Sequence, residues 1–98
     1  MFSWYMIISL NSNLTQLKNK VDAFTVNWSV TGDCNDLYKG IFSGYNLKNA
    51  PTTNWTTILS MPANGNPLYN IQIATIMGSN TLYIRHCFNG TWSSWRAI

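Results

Sequence analysis

The chain has 98 residues and a net charge of +3, and this length fits one small domain that can bury only part of its apolar surface. Only 9% of the residues are charged, there is no glutamate, and the six basic residues are spread from Lys18 to Arg96. Nucleic-acid binding is not expected, because neutralising phosphates requires a dense basic patch. The abundance of asparagine, serine and threonine suits an extracellular protein with a polar, uncharged surface.

The first ten residues are apolar enough to raise the question of a membrane anchor or a signal peptide. The run has about half the length that a membrane-spanning helix requires. No basic residue precedes Lys18, and no small-residue cleavage site follows the run. We therefore expect no membrane insertion and interpret the run as the beginning of a helix or strand.

Apolar residues then recur three and four positions apart between residues 7 and 24, which predicts a short helix with one apolar stripe. A helix of fewer than three heptads is not stable alone. It can pack on its own domain, or it can form a coiled-coil neck that joins identical chains. The residues of the stripe, which are also the predicted trimerisation residues, are Ile7, Leu10, Leu14, Leu17, Val21 and Phe24.

After the stripe, residues 24–30 alternate between apolar and polar, as in a β-strand. Asp33 follows, and its carboxylate can cap a short helical turn over 34–38. Runs rich in β-branched and aromatic residues, divided by Gly, Pro and Asn, then predict further strands. These strands span 41–45, 55–61, 69–77, 81–88 and 92–97. The sequence thus predicts a mainly β fold, a small antiparallel β knob preceded by a short N-terminal helix.

The last two predicted strands form a β-hairpin. Asn89-Gly90 is a strong type I′ turn dipeptide, since both residues tolerate positive φ. Trp92 and Trp95 have opposite parity on the terminal strand, so we expect one to pack inside the fold or between chains and the other to be partly exposed. Arg85, on the partner strand, can stack on them through cation–π contacts.

The C-terminal two thirds of the chain carries a series of short motifs. In chain order they are Asp33-Cys34-Asn35-Asp36-Leu37, Gly40-Ile41-Phe42, Asn49-Ala50-Pro51, Ile58-Leu59, Ile71-Gln72-Ile73-Ala74, Leu82-Tyr83-Ile84-Arg85, Asn89-Gly90-Thr91-Trp92 and Ser93-Ser94-Trp95-Arg96. Together they resemble the pattern of the pyocin-knob family, whose members cap phage tail fibres and R-type pyocin fibres. The resemblance covers residues 31–98. It departs from the family at Cys34, where an aliphatic residue is expected, and at His86-Cys87, where small polar residues are expected.

The resemblance implies a β knob domain over 31–98 that follows an apolar lead-in and helical neck over 1–30. Because fibre proteins of this kind are parallel trimers, it favours the neck over a helix packed on its own domain. It further implies a homotrimer in the tail fibre of a virion, or of a prophage or bacteriocin particle, that adheres to a bacterial cell-surface glycan. A purely structural spacer or trimerisation unit of the same fibre is the alternative role.

An enzymatic function is not expected. The carboxylates are Asp22, Asp33 and Asp36, so a polysaccharide depolymerase would have to pair Asp33 with Asp36, and both lie in a capping and turn context. His86 and Cys87 are adjacent on a strand and point to opposite faces, so they do not readily form a catalytic dyad. The two cysteines lack metal-ligand spacing, so we expect free or buried thiols, no metal and no cofactor. A disulfide between Cys34 and Cys87 is the alternative and requires Cα atoms within about 7 Å of each other.

With an enzymatic function not expected, binding is the remaining function that the sequence suggests. Aromatic rings with amide and hydroxyl neighbours can stack on sugars and hydrogen-bond their hydroxyls, although several rings of so small a domain must belong to its core. The residues predicted to contact a glycan receptor are Tyr45, Trp55, Tyr69, Arg85 and Trp92. A small secreted lectin unrelated to phage is a further alternative.

Overall fold

The computed structural model describes residues 11–13 and 24–98, and its main feature is one β-sheet of seven strands. The strands are β1 (Thr25–Asn27), β2 (Gly40–Gly44), β3 (Thr56–Pro62), β4 (Asn70–Ile76), β5 (Leu82–Phe88), β6 (Thr91–Trp92) and β7 (Arg96–Ala97). Strands β2 to β5 form an antiparallel meander. At one edge β1 runs parallel to β2, and at the other edge β6 and β7 both pair with β5. The expected mainly β fold is confirmed.

The four strands predicted between residues 41 and 88 agree with β2 to β5 within one residue at each end. The strand predicted over 24–30 is shorter and forms β1, and the one predicted over 92–97 is divided into β6 and β7. Residues 11–13 are helical. Of the predicted trimerisation stripe, Phe24 is described, with half of its surface exposed. The other five positions, Ile7, Leu10, Leu14, Leu17 and Val21, lie outside the described residues.

Two local turn signals in the sequence are confirmed. The Asp33 carboxylate accepts a hydrogen bond of 2.9 Å from the backbone N–H of Asn35 and so caps the 3₁₀ turn Cys34–Asp36. Asn89 and Gly90 have φ values of 50° and 83°, the positive values that a type I′ turn requires. The hairpin between β5 and β6 is therefore set by local backbone preference.

The sheet has two unlike faces, because side chains alternate along each strand. One face, called here the covered face, lies beneath the connections on either side of β2. The core forms there from Phe42, Ile58 and Ala74 of the sheet and from Cys34, Leu37 and Leu47 of the connections. The opposite face, called the outer face, is open to solvent: Met61, Ile71 and Leu82 are 39%, 44% and 41% exposed.

Candidate functional site

A row of polar side chains crosses the covered face of the sheet. Ser60 pairs with Gln72 in the β3–β4 ladder, and Gln72 pairs with Arg85 in the β4–β5 ladder, so the three side chains stand side by side. Ser60 and Gln72 are fully buried and Arg85 is 4% exposed. Buried polar groups are costly unless they are hydrogen-bonded, so the partners of this row decide what it does.

The partners of Ser60 and Gln72 are backbone carbonyls of the covering turn. The amide nitrogen Nε2 of Gln72 donates to the carbonyl oxygens of Cys34, at 2.8 Å, and of Leu37, at 3.2 Å. The Ser60 hydroxyl also donates to the Leu37 oxygen, at 2.7 Å. Asn70, two residues before Gln72 on β4, donates from its side-chain amide to the Tyr38 carbonyl oxygen at 3.0 Å. Side chains of the sheet thereby satisfy the buried carbonyls at the end of the 3₁₀ turn and hold the turn in place.

Arg85 extends this row to the C-terminal strands. Its Nε donates to Oε1 of Gln72 at 2.9 Å. Its guanidinium carbon lies 3.9 Å from the centre of the Trp92 ring and 4.7 Å from that of Trp95, so the cation is stacked against two indoles. Trp95 in turn donates its Nε1–H to the Asn49 carbonyl at 2.7 Å. Cation–π attraction is strongest where water is excluded, as it is here.

The expectation that Trp92 and Trp95 lie on opposite faces is wrong, because the terminal strand is not continuous. Between the pairs Cys87↔Trp92 and Ile84↔Arg96, β5 advances by three residues while the terminal segment advances by four. The extra residue is a β-bulge, which shifts the parity of everything that follows. Both tryptophans consequently reach the face on which Arg85 lies.

The Asp33 carboxylate joins two loops of the covering layer. Its Oδ1 accepts a bond of 2.8 Å from the side-chain amide of Asn49, in addition to the bond from Asn35. Burial raises the pKa of Asp33, but these hydrogen bonds and the nearby Lys48 outweigh it and leave the pKa below its ordinary value. A shallow polar groove of about 760 Å³ runs beside this carboxylate and is lined by Asp33, Asp36, Asn46, Lys48, Asn49 and Thr52, among others.

A pair of aromatic side chains stands at the end of β2 and β3. The rings of Tyr45 and Trp55 have centres 6.4 Å apart and planes inclined by 28°. Tyr45 is 64% exposed. The Trp55 indole is held by a bond of 2.7 Å from its Nε1–H to the Ser43 hydroxyl, which also lies 3.0 Å from the Thr57 hydroxyl. The structure therefore presents one free ring beside one fixed ring.

The five predicted receptor-binding residues occupy three separate places. Tyr45 and Trp55 form the pair just described. Tyr69 contacts Phe88 edge to face, with ring centres 5.5 Å apart, at the opposite end of β4. Arg85 and Trp92 belong to the stacked cluster of the covered face, where Nε of Arg85 is bonded to Gln72 and the buried Nη2 has no hydrogen-bond partner. The geometry thus favours Tyr45 and Trp55 as a binding surface and gives Arg85 and Trp92 a structural role.

The two cysteines are buried free thiols, as expected. Burial raises the pKa of Cys34 to about 11, so this thiol is protonated at neutral pH and is a poor nucleophile. Within residues 11–13 and 24–98, no group of three His, Cys, Asp or Glu side chains is arranged to hold a metal ion. In the same part of the chain, no helix is long and apolar enough to cross a membrane.

Comparisons of this chain with protein-family models, with curated proteins and with solved structures found no match.

We predict that Arg85→Lys lowers the free energy of unfolding by about 2–4 kcal/mol, because a lysine loses the planar stack and leaves Oε1 of Gln72 without its buried partner. Arg96→Lys is the matched control, since Arg96 is exposed on the same ribbon and the change should stay within about 0.5 kcal/mol. Urea denaturation measures both variants. Equal effects would contradict a structural role for Arg85.

We further predict that Asp33 makes stability depend on pH in acid. A carboxyl whose pKa is lowered by folding stabilises the folded state fully above its ordinary value of 3.8 and ceases to do so as the pH falls through the folded-state pKa. The stability lost in Asp33→Asn should therefore be largest at neutral pH and shrink below 3.8. Asp36→Asn, at an exposed position of the same turn, is the control. A loss in Asp33→Asn that stays constant across this pH range would exclude the carboxylate charge as its cause.

Proposed function

We propose that this chain is the β knob of a phage or prophage tail fibre, or of a related bacteriocin fibre, and that it binds a bacterial cell-surface glycan as a homotrimer without making or breaking bonds. The observation that carries the binding function is the Tyr45–Trp55 pair, in which two rings inclined by only 28° stand at one end of the sheet and Tyr45 is 64% exposed.

The chemistry of the pair fits a sugar ring. The apolar face of a pyranose packs against an aromatic plane, and the sugar hydroxyls then need amide or hydroxyl partners nearby. Asn46, next in sequence to Tyr45, is exposed, whereas the side-chain amide of Asn54 is bonded to the Trp55 N–H and the Met77 carbonyl. Because Ser43 already fixes the Trp55 indole, little side-chain entropy is lost when a ligand binds there.

The assignment to a fibre knob is supported by how the resemblance motifs meet in space. Gln72, Arg85, Trp92 and Trp95 come from four of these motifs and form one hydrogen-bonded and stacked cluster. Motif residues that depend on one another physically form a more specific pattern than the same residues scattered over a sheet. The extracellular location in a tail fibre belongs to this proposal.

The state of Asp33 is unlike that of the proton donor of a depolymerase. A glycosidase needs one carboxyl with a raised pKa, so that it can donate a proton to the leaving oxygen. The pKa of Asp33 is lowered, and its Oδ1 is engaged by Asn35 and Asn49. In a trimer, three weak glycan sites add through avidity, so a single site need not bind tightly.

We predict that Tyr45→Ala weakens binding to purified bacterial glycans by about 10-fold per site, since losing one stacking ring costs about 1.4 kcal/mol. A panel of immobilised lipopolysaccharide, teichoic acid and capsule is the probe. Phe88→Ala is the matched control, because Phe88 is 68% exposed and lies in the other aromatic pair. Ser43→Ala should reduce glycan affinity by a smaller factor, because it removes the hydrogen bond that holds the Trp55 indole.

Three results would contradict this function. Wild-type chain that binds no glycan of the panel would favour the spacer role, and equal losses in Tyr45→Ala and Phe88→Ala would remove the site from this end of the sheet. Release of new reducing ends from the bound polysaccharide would show an enzyme.

A further inference from the structure

The sheet carries apolar side chains on both faces. The covered face holds the core residues Phe42, Ile58 and Ala74 beside the polar row of Ser60, Gln72 and Arg85. An aliphatic row also crosses the outer face in register from β1 to β5. The members of this row are Val26, Ile41, Leu59, Ile73 and Ile84. In a monomeric protein, the face of an antiparallel sheet that is open to solvent is normally polar.

The outer face extends beyond this row. Met61 and Ile71 pair with each other on one side of it and are 39% and 44% exposed. Leu82, on the other side, is 41% exposed. Among the described residues, no carboxylate lies on the outer face of strands β1 to β5. Its ionisable groups are His86 and, at the β7 edge, Arg96, so charge is confined to one margin.

The size of the outer face is that of an interface. The five strands have 3, 5, 7, 7 and 7 residues, and at about 4.8 Å by 3.4 Å per residue these 29 residues cover roughly 470 Å² in projection. The accessible area of a corrugated side-chain surface is larger than its projection, so the face can supply a large part of the roughly 800 Å² per partner of a standard stable interface. One polar row, Ser43, Thr57 and Thr75, lies beside the aliphatic row, and exposed apolar patches of a few hundred Å² mark association sites.

We infer that the outer face is the surface through which copies of this chain pack against one another. A glycan is a poor occupant, because isoleucine and leucine offer no hydrogen bonds to its hydroxyls. A second copy presents the same apolar rows, so association buries aliphatic surface on both sides while His86 and Arg96 stay at the margin. The inference concerns how chains associate through the sheet, and it holds whether or not the Tyr45–Trp55 pair binds sugar.

The small interior explains why such an interface is useful. Eight apolar side chains are buried in the described part of the chain, and many core positions of the covered face are polar. A domain of this size buries a modest fraction of its surface by itself. Packing the outer faces together gives each copy a second apolar core, made between chains.

The test is the oligomeric state of the full chain, measured by light scattering and sedimentation. Wild-type protein should be an oligomer, and Ile71→Lys should raise its dissociation constant by about 100-fold or more, because the interface would bury an unpaired charge. Leu68→Lys is the control, since Leu68 is 48% exposed but lies in the connection before β4, and it should leave the constant unchanged. The inference would be overturned by a monomeric wild type, or by an oligomer whose dissociation constant is unchanged in Ile71→Lys.

A second measurement uses the wild-type protein, so its result does not depend on whether a variant folds. Met61 lies on the outer face and Met77 in the turn after β4, with 39% and 63% exposure in the single chain. If the face were open, peroxide would oxidise the two within about twofold of each other; burial in an oligomer should slow Met61 at least tenfold relative to Met77. Similar rates would overturn the inference, and so would a protected Met61 in a monomer, which would mean that another part of the same chain covers the face.

Discussion

A buried guanidinium stacked against two indole rings and bonded to a glutamine holds this fold together. Arg85 contacts Trp92 and Trp95 on the terminal strands and reaches Gln72 on the neighbouring strand. The side-chain amide of Gln72 donates hydrogen bonds to the backbone carbonyls of Cys34 and Leu37. One continuous set of polar contacts thus joins the terminal segment, the sheet and the covering turn. A small domain with few buried apolar side chains depends on such contacts more than a larger one does.

This polar interior determines what the surface can offer. Because side chains alternate, placing Gln72 and Arg85 inside turns Ile71, Ile73 and Ile84 outward, so the network and the apolar outer face are two consequences of one register. The aromatic pair adjoins the outer face, because the Ser43 hydroxyl that holds the Trp55 indole lies on the same side of β2 as Ile41. The molecule therefore places cohesion in the covered face, association at the outer face and ligand contact at one end of that outer face.

Much of the architecture could be predicted from the sequence, because strands and turns are local. The positive φ of Asn89 and Gly90, the cap at Asp33 and four of the strands follow from residue types within a few positions of each other. Which face is inside could not be predicted in this way, since the alternation Ile71-Gln72-Ile73 normally puts glutamine in solvent. The bulge before Trp95 depends on one unpaired residue and on contacts with Arg85 and Asn49. Counting alternate residues along the chain therefore assigned Trp95 to the wrong face of the sheet.

The measurement that tests this picture most directly is a double-mutant cycle on Gln72 and Arg85. Gln72→Met, Arg85→Met and the double variant are compared with the wild type by urea denaturation. If the pair is a connected unit of the interior, each single change leaves a buried polar partner unsatisfied. The double change should then cost less than the two single changes together, by about 1.5 kcal/mol or more. Losses that add to within about 0.5 kcal/mol would show that the two residues act independently and that another interaction holds the fold together.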